Sequence, residues 1–511
     1  MQTYLLTIDT GSSSSKIAIF DTQGTLIHLI RKSTSAIRRD AGHAVREYTP
    51  ETWWETTAEG IRELLQKSGL SSACIAAIGL TGQIGTHILV DQEHVPVMSA
   101  ISWQDGRAAD QAKWLSEHYH STQLDQALGM HLPPGTAWPI PRLLWLKQNR
   151  PELFDKPFKL LQTKEYLNYM LTGVYATDVL SLRGLVHPKT GKIDPLIQTT
   201  ILGIPDLQAR LPSFGDAMEV VGSVTQKAAE QTGLLAGTPV IAGCGDFHAS
   251  LVGTGIVDDQ FAFTISGTSD HIGRLCRSSD TQAYDERLGR YPSVVDGWDI
   301  WYGATSAGGG SLQWFLEQFG ERKANQTIQA YVKDMMEGAP APAPFLFLPY
   351  LNGERAPIWD AQAKAGFVGF SSAHTKAHFL RAVLEGVCFS LKDCYSIMQE
   401  SQKTPAQLRV SGAAGADPVW NQMKADILNT EVVSMQCQES SSLGAAILAA
   451  TAIGIAPSLS TAVQTMVHPA QQYTPNAKYH DTYEEMFLLY RQLYQQLKPI
   501  HEQLARRRST V

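Results

Sequence analysis

One short pattern occurs twice in the chain. Thr7-Ile8-Asp9-Thr10-Gly11-Ser12-Ser13 lies near its start and Thr264-Ile265-Ser266-Gly267-Thr268-Ser269 near its middle, each an apolar β-type run that ends in glycine and small hydroxyl residues. Such a loop leaves backbone N–H groups open to a phosphate, because no bulky side chain stands over them. The repeat constrains the fold to two related halves, each with a strand, a tight small-residue loop and a returning strand. The second copy carries Ser266 where the first has Asp9, so one acid is lost.

A length of 511 residues agrees with two halves, since it exceeds what one hydrophobic core usually supports. With 43% hydrophobic and 18% charged residues the composition is that of an ordinary globular protein. The formal charge of −7 offers no basic face for nucleic acid or an anionic membrane. The one basic cluster, Arg506-Arg507-Arg508, suits the solvated C-terminus of a helix. Six cysteines without a C-x-x-C pair read as reduced, mostly buried thiols, and no leader-like or membrane-length apolar run is present, so a cytoplasmic protein is expected.

Along the chain, residues 4 to 9, 16 to 20 and 25 to 31 read as a β-meander. Thr49-Pro50 starts a helix over Glu51 to Lys67 that stops at Gly69. The run Ile75 to Leu80 leads into Thr81-Gly82-Gln83-Ile84-Gly85, and another ends at Trp103-Gln104-Asp105-Gly106-Arg107. Polar groups at strand ends are where α/β proteins meet their substrates. Gly338 to Pro344 reads as a stiff connector before the strand Phe345 to Leu348. Residues 478 to 505 read as one or two closing helices with a packed aromatic face of Tyr479, Tyr483, Phe487, Tyr490 and Tyr494.

The common nucleotide, dinucleotide, zinc and serine-hydrolase signatures are all missing. What remains is four dispersed small-residue loops: Gly11 to Ser15 with Lys16 behind it, Gly267-Thr268-Ser269, Ala307 to Ser311, and Gly412 to Asp417. Each alone is an ordinary turn; four on one chain read as phosphate cradles. Asp246, in Gly243-Cys244-Gly245-Asp246, is the candidate base toward an acceptor hydroxyl. Asp9 is the candidate Mg²⁺ ligand, directly or through water, because Mg²⁺ keeps waters and takes few carboxylates.

These blocks resemble the FGGY carbohydrate kinase family. The resemblance spans nearly the whole chain, through Ile8 to Lys16, Thr81-Gly82-Gln83, Ser102 to Arg107, Gly245-Asp246, Ser266 to Ser269 and Leu348 to Pro357. Pro141 to Asn149, and Gly366 to Phe370 leading into Leu380 to Gly386, are similar to its signature patterns. It implies an α/β fold of two ribonuclease H-like lobes of the actin, Hsp70 and sugar kinase type with an interdomain cleft, divided at 252/253, the first lobe for sugar, metal and phosphate and the second for ATP. It implies ATP and Mg²⁺ as cofactors, a small-molecule sugar as partner with no nucleic acid or membrane, and it allows a homodimer. The residues it assigns are Asp246 as base, Asp9 at the metal, and Gln83, Ile84, Trp103, Asp105, Phe247 and His248 around the sugar. Ser13, Lys16, Gly267, Thr268, Gly309, Gln313, Gly412, Ala413 and Asp417 are assigned to the nucleotide.

Departures bear on the acceptor. Gln83-Ile84-Gly85-Thr86 lacks the histidine usual in the xylulose kinases, and Phe247-His248 follows the candidate base where asparagine is common. Trp103-Gln104-Asp105-Gly106-Arg107 and Gly245-Asp246-Phe247-His248-Ala249-Ser250 are similar instead to the sedoheptulose kinase branch, and His248 or His87 is a candidate to replace the lost imidazole. The expected acceptor is a ketose, xylulose first, with sedoheptulose, ribulose, an aldonate or a polyol as alternatives. The reading from a different class is an inactive sugar- or nucleotide-binding regulator on the same fold. Glu354 and Arg355 read as a structural salt bridge.

Overall fold

The computed structural model describes residues 2–34, 37–39, 45–131, 135–156, 158–280, 285–323, 325–401, 405 and 407–508. Two compact units emerge, and neither is one run of sequence. The first takes residues 1–257, 292–296 and 439–467; the second takes 258–291, 297–438 and 468–511. The expected division at 252/253 lies beside the end of the first long run, and the segment 439–467 returns to the first unit.

The first unit is built on a seven-stranded sheet. Tyr4–Thr10 turns back through Gly11 to Ser13 into Ser14–Asp21, and Leu26–Ser33 completes the meander expected at the start. On its other side Tyr4–Thr10 pairs in parallel with Ile75–Gly82, which is followed by Pro239–Ile241 and Val220–Ser223. Tyr4–Thr10 is buried along its whole length, as its apolar run requires of a central strand with both faces covered. The helix Pro50–Ser68 covers one face with Trp53, Trp54, Ile61 and Leu64. It begins with proline in its first turn and stops at Gly69, left-handed at φ 66°. Thr49 adopts the cap conformation without a side-chain cap bond, so the proline sets this start.

The second unit repeats the pairing order. Ala262–Ser266 turns back through Gly267 to Ser269 into Asp270–Arg277, and Trp298–Ala304 follows antiparallel. Gln407–Ser411 then pairs in parallel on the far side of Ala262–Ser266. The duplication read from two short patterns is therefore a duplication of sheet topology. The helix His480–Arg508 closes this unit with Tyr483, Phe487, Tyr490 and Tyr494 all in the core, the packing role its aromatic face suggested. The Gly338 to Pro344 connector is pinned rather than free-standing: Arg381 Nε donates to the Ala339 carbonyl at 2.6 Å and the Ala343 N–H donates to Glu385 Oε2 at 2.9 Å. All six cysteines are free thiols, four of them buried.

The helices Asp246–Thr254 and Ser440–Ala452 pack backbone to backbone inside the first unit. A methyl group on Gly444 would stand 1.8 Å from the Ala249 carbonyl oxygen, and one on Gly253 1.9 Å from that of Ser440. Ala249 lies one turn beyond Asp246, so this contact also sets where Asp246 sits. Gly444→Ala is expected to destabilise the protein by the ~1–3 kcal/mol typical of overpacking. A thermal melt that overlays the wild type would show that these helices separate without cost.

Candidate active site

In the first unit two carboxylates lie at the ends of the sheet's central strands. Asp9 and Lys16 are cross-strand partners in the opening hairpin, which turns both side chains to one face. Lys16 Nζ donates to Asp9 Oδ2 at 3.1 Å and also meets Glu439 at 3.3 Å. The Asp9 carboxylate, ahead of Glu439, holds Lys16 well above its ordinary value against the opposing effect of burial. Ser441 Oγ donates to the same Asp9 oxygen at 2.5 Å, whereas Asp9 Oδ1 takes no hydrogen bond among the described residues. Neither Glu439 nor Ser441 was anticipated. More than four hundred residues separate them from Asp9, and the only local signal was a small-residue helix start.

Asp246 arrives by another route. Gly243, left-handed at φ 66°, lets the chain pass where a Cβ would stand 1.8 Å from the Leu80 carbonyl oxygen. Cys244 and Gly245 then pair in parallel with Thr81 and Gly82, and Asp246 opens its helix. Its Oδ1 accepts the Phe247 N–H at 2.8 Å. Withdrawal from water, and after it the charge of Asp9, pushes this carboxyl up to about 7, with Arg183 and Lys16 opposing. Arg183 is a second group the sequence reading missed. It follows a short turn, Val179–Leu182, that Asp178 caps through the Ser181 N–H at 3.1 Å.

The loop that carries Asp246 is anchored from behind by Lys164, which is 1% exposed. Lys164 Nζ donates to the Ala242 carbonyl and to Thr177 Oγ1, both at 3.0 Å, and sits 3.1 Å from Glu165 and 3.3 Å from Asp178. Two carboxylates around one ammonium group satisfy a charge that would otherwise be costly to bury.

Gln83 and Trp103 come together around Ser12. Trp103 Nε1 donates to Ser12 Oγ at 2.7 Å, and Ser12 Oγ donates to Gln83 Oε1 at 3.0 Å. Gln83 is only 2% exposed, yet its amide nitrogen has no partner. A buried donor left open in this way is expected where a ligand supplies the acceptor. Trp103 is 40% exposed, and Ile84 is half-buried against Gly245. Ser13 lies exposed at the hairpin tip, its carbonyl held by the Thr34 N–H.

Asp105 differs from expectation. It is fully buried, and its two oxygens accept the N–H groups of Arg46 and Arg107 and the Nε and Nη2 of Arg107. A carboxylate engaged in four such bonds orders the Trp103 loop. Arg142 completes that order. It is buried and gives bonds to the carbonyls of Gly85, Ile101, Ser102 and Thr136, while burial brings it down to about 9. His248 is also packed away: its Nε2 donates to the Pro292 carbonyl at 3.1 Å, and burial takes it down to about 4, so it is neutral. Phe247 is half-buried beside it, with the two rings edge to face. Burial and then Arg142 likewise hold His87 well below its ordinary value. His87 Nδ1 lies 3.4 Å from Arg142 Nη1.

The second unit gathers Gly267, Thr268, Gly309 and Gly412. The N–H groups of Gly309 and Gly310, at the start of the helix Gly309–Phe319, donate to the carbonyls of Gly267 and Thr268 at 2.8 and 2.9 Å. Gly412 lies against the Ser266 carbonyl, and Ala413 opens the short 3₁₀ turn that follows. Beneath them Ser266 Oγ donates to Asp270 Oδ2 at 3.1 Å and accepts from Lys424 Nζ at 3.0 Å. Burial pushes Asp270 up to about 6 against the pull of Lys424. The acid missing from the second pattern is thus supplied by the facing strand. Asp417 is committed to its own helix, capping the Trp420 N–H at 3.0 Å, and Gln313 is exposed with its amide on Glu317. Glu354 and Arg355 do not form the salt bridge expected of them. Arg355 Nη2 donates to Ser269 Oγ at 3.0 Å and to the Thr305 carbonyl at 2.6 Å, and Glu354 accepts the N–H groups of Ser306 and Arg355.

Among the described residues no cluster of three or more His, Cys, Asp or Glu could cage a metal, and no helix is long and apolar enough to cross a membrane.

The family model of the FGGY family of carbohydrate kinases, N-terminal domain, matches residues 4–253, and that of its C-terminal domain matches residues 262–453. A xylulose kinase of Staphylococcus epidermidis is 30% identical over 502 residues, which cover 97% of each chain. An L-xylulose/3-keto-L-gulonate kinase of Escherichia coli K12 is 30% identical over 507 residues, 99% of each chain. The crystal structure of a gluconate kinase from Lactobacillus acidophilus aligns with a TM-score of 0.88 at 27% identity, over 99% of this chain and 100% of that one.

Proposed function

From the premise that the chain belongs to the FGGY family of carbohydrate kinases, with its two-domain α/β fold, we propose that it transfers the γ-phosphoryl group of ATP to an open-chain ketose, xylulose first. The observation that carries this reading is the unequal pair of carboxylates. Asp9 is matched by the Lys16 ammonium and Ser441, whereas Asp246 takes only a backbone N–H and is pushed up to about 7. A base poised near neutrality suits removal of the proton from an acceptor hydroxyl, and a carboxylate matched to a cation suits the charged phosphates.

In this mechanism Gln83 donates its open amide hydrogen to the acceptor, and the indole of Trp103 lies against the sugar's C–H face. Asp246 takes the proton of the attacking hydroxyl as its oxygen bonds to phosphorus and the bond to the ADP oxygen breaks. Phosphoryl transfer asks mainly for alignment and charge neutralisation, and the Lys16 ammonium beside Asp9 supplies charge for the phosphates. Mg²⁺ fits beside Asp9, because Oδ1 is open and this ion needs one carboxylate with waters and phosphates instead of a full protein cage. When bound, it would neutralise phosphate charge there. Asp105, Arg107 and Arg142 keep the Trp103 loop in shape.

A second acceptor class, a six-carbon sugar acid, is favoured by the presence of a cation on this side: the charge of Arg183 acts on Asp246 against the upward push of burial. The relatives named for 3-keto-L-gulonate and gluconate act on molecules of that kind. ADP release in a coupled assay across D- and L-xylulose, ribulose, sedoheptulose, gluconate and glycerol separates these readings. The expected result is the highest kcat/KM for a xylulose. Gluconate ahead of every ketose would move the assignment to the sugar acids, and glycerol ahead of all would overturn both.

A further inference from the structure

The helix Thr163–Thr172 of the first unit begins with consecutive polar side chains that are all buried: Gln162 at the cap, then Thr163, Lys164 and Glu165. Successive residues of a helix project about 100° apart, so the three helical ones leave the axis in three directions. Each reaches a different loop. Gln162 Oε1 accepts the Gly85 N–H at 2.5 Å, two residues beyond Gln83, and its Nε2 donates to the Ser181 carbonyl, two residues before Arg183. Thr163 Oγ1 lies 3.1 Å from the hydroxyl of Thr10, next to Asp9. Lys164 Nζ donates to the Ala242 carbonyl, from which the chain runs through Gly243 to Asp246. Glu165 closes the turn by accepting the Gln162 N–H at 3.0 Å, half of a capping box.

The supports are braced against one another. Lys164 lies 3.3 Å from Asp178, which accepts the Ser181 N–H, so the turn that Gln162 holds by its carbonyl is held a second time from Lys164. At Gly82 a methyl group would stand 2.1 Å from Thr10 Oγ1 and 3.2 Å from Thr163 Oγ1, which leaves no slack beside that contact. Every one of these bonds goes to a backbone group or a side chain next to a proposed working residue, not to the working side chain itself. Such supports act on chemistry by fixing geometry, and a displacement of about 1 Å is enough to cost a large factor in rate.

We propose that the turn 162–165 is a positioning bracket for the reaction, in which Gln162 places the Gln83 loop toward the acceptor and Lys164 places the loop of the base Asp246. The inference rests on the roles proposed for Gln83 and Asp246. It assigns two separable tasks to neighbouring residues: loss of the Gln162 amide should weaken acceptor binding, and loss of the Lys164 ammonium should slow the transfer step.

Gln162→Met fills similar space without the amide. Lys164→Met/Glu165→Gln removes one charge of each sign, so the net buried charge is kept. With D-xylulose as acceptor, or the best acceptor of the panel above should that differ, Gln162→Met is expected to raise KM at least roughly tenfold with kcat within about twofold of the wild type. The double variant should instead lower kcat at least roughly tenfold with that KM within about twofold. ADP binding by calorimetry should be unchanged in both, which reports folded protein independently of turnover. Lys164→Arg, which keeps the charge and changes its reach, repeats the second arm should the double variant melt too low to assay, and the same loss of kcat is expected. Losses that fall on kcat and KM alike in both variants, the reverse assignment, or a lower melting temperature with wild-type kinetics would overturn the bracket while leaving the kinase reading in place. A wild type that phosphorylates no acceptor of the panel would overturn the kinase reading, and the bracket with it.

Discussion

Asp246→Asn is expected to lower kcat by at least the roughly 10²-fold that a general base contributes, with ADP binding retained. The side chain keeps its size, and the Phe247 N–H keeps an acceptor. The pH profile carries the sharper test. Burial and Asp9 push the Asp246 carboxyl up to about 7, so in the wild type kcat/KM should rise with pH through about 7 as the base loses its proton. The Asn variant should lack that limb. A raised carboxyl binds its proton more tightly in the folded protein than in the unfolded chain. The stability it contributes is present below the ordinary carboxylate range and is lost as pH rises through about 7. Asp246→Asn should therefore melt higher than the wild type above pH 7 and close to it near pH 4. Near-normal turnover in the variant would put the base on another residue, and a retained acid limb would give that limb to another group.

Activity lost with stability gained is what a residue held for chemistry should show, and it marks where sequence and structure diverge. The hairpin loops at Gly11 and Gly267 were legible because glycine and small hydroxyl residues directly after an apolar run favour a tight turn and oppose continuation of the strand. The helix stopped by Gly69 and the buried face of the closing helix were legible for the same local reason. The partners of the site residues were not local. Ser441 reaches Asp9, and Glu439 reaches Lys16, only because residues 439–467 fold back into the first unit, a matter of sheet topology that no spacing records. The protein partners of Asp105 were hidden for a related reason. An acid beside a tryptophan at a strand end looks ready for a sugar, and only the paths of Arg46 and Arg107 show its oxygens already taken. Asp417 and His248 went the same way, one to a helix cap and the other to a carbonyl. Lys164, buried inside a helix, carried no signal at all beyond its charge.

Asp9→Ala is expected to reduce kcat by roughly 10²-fold or more, the scale set by removing one preorganised electrostatic group from a developing charge. The acceptor KM should change little, because Gln83 and Trp103 are held through Ser12 and not through Asp9. The loss has two sources that a second pair of variants separates. Lys16 would keep only Glu439, so its ammonium would be less firmly placed for the phosphates. Any metal beside the open Oδ1 would lose its carboxylate. Asp9→Asn keeps the size and an oxygen for Lys16 and Ser441 but removes the charge, so it should match Asp9→Ala if the metal dominates. Ser441→Ala keeps the charge and releases one hydrogen bond, so it should cost far less. A Mg²⁺ titration of turnover reads the difference directly: both Asp9 variants should need more Mg²⁺ for half-maximal rate, and Ser441→Ala should stay near the wild type. If Asp9→Ala instead raised the acceptor KM and left kcat and the Mg²⁺ requirement unchanged, Asp9 would belong to the sugar, and the two carboxylates of the first unit would have to exchange the roles given to them.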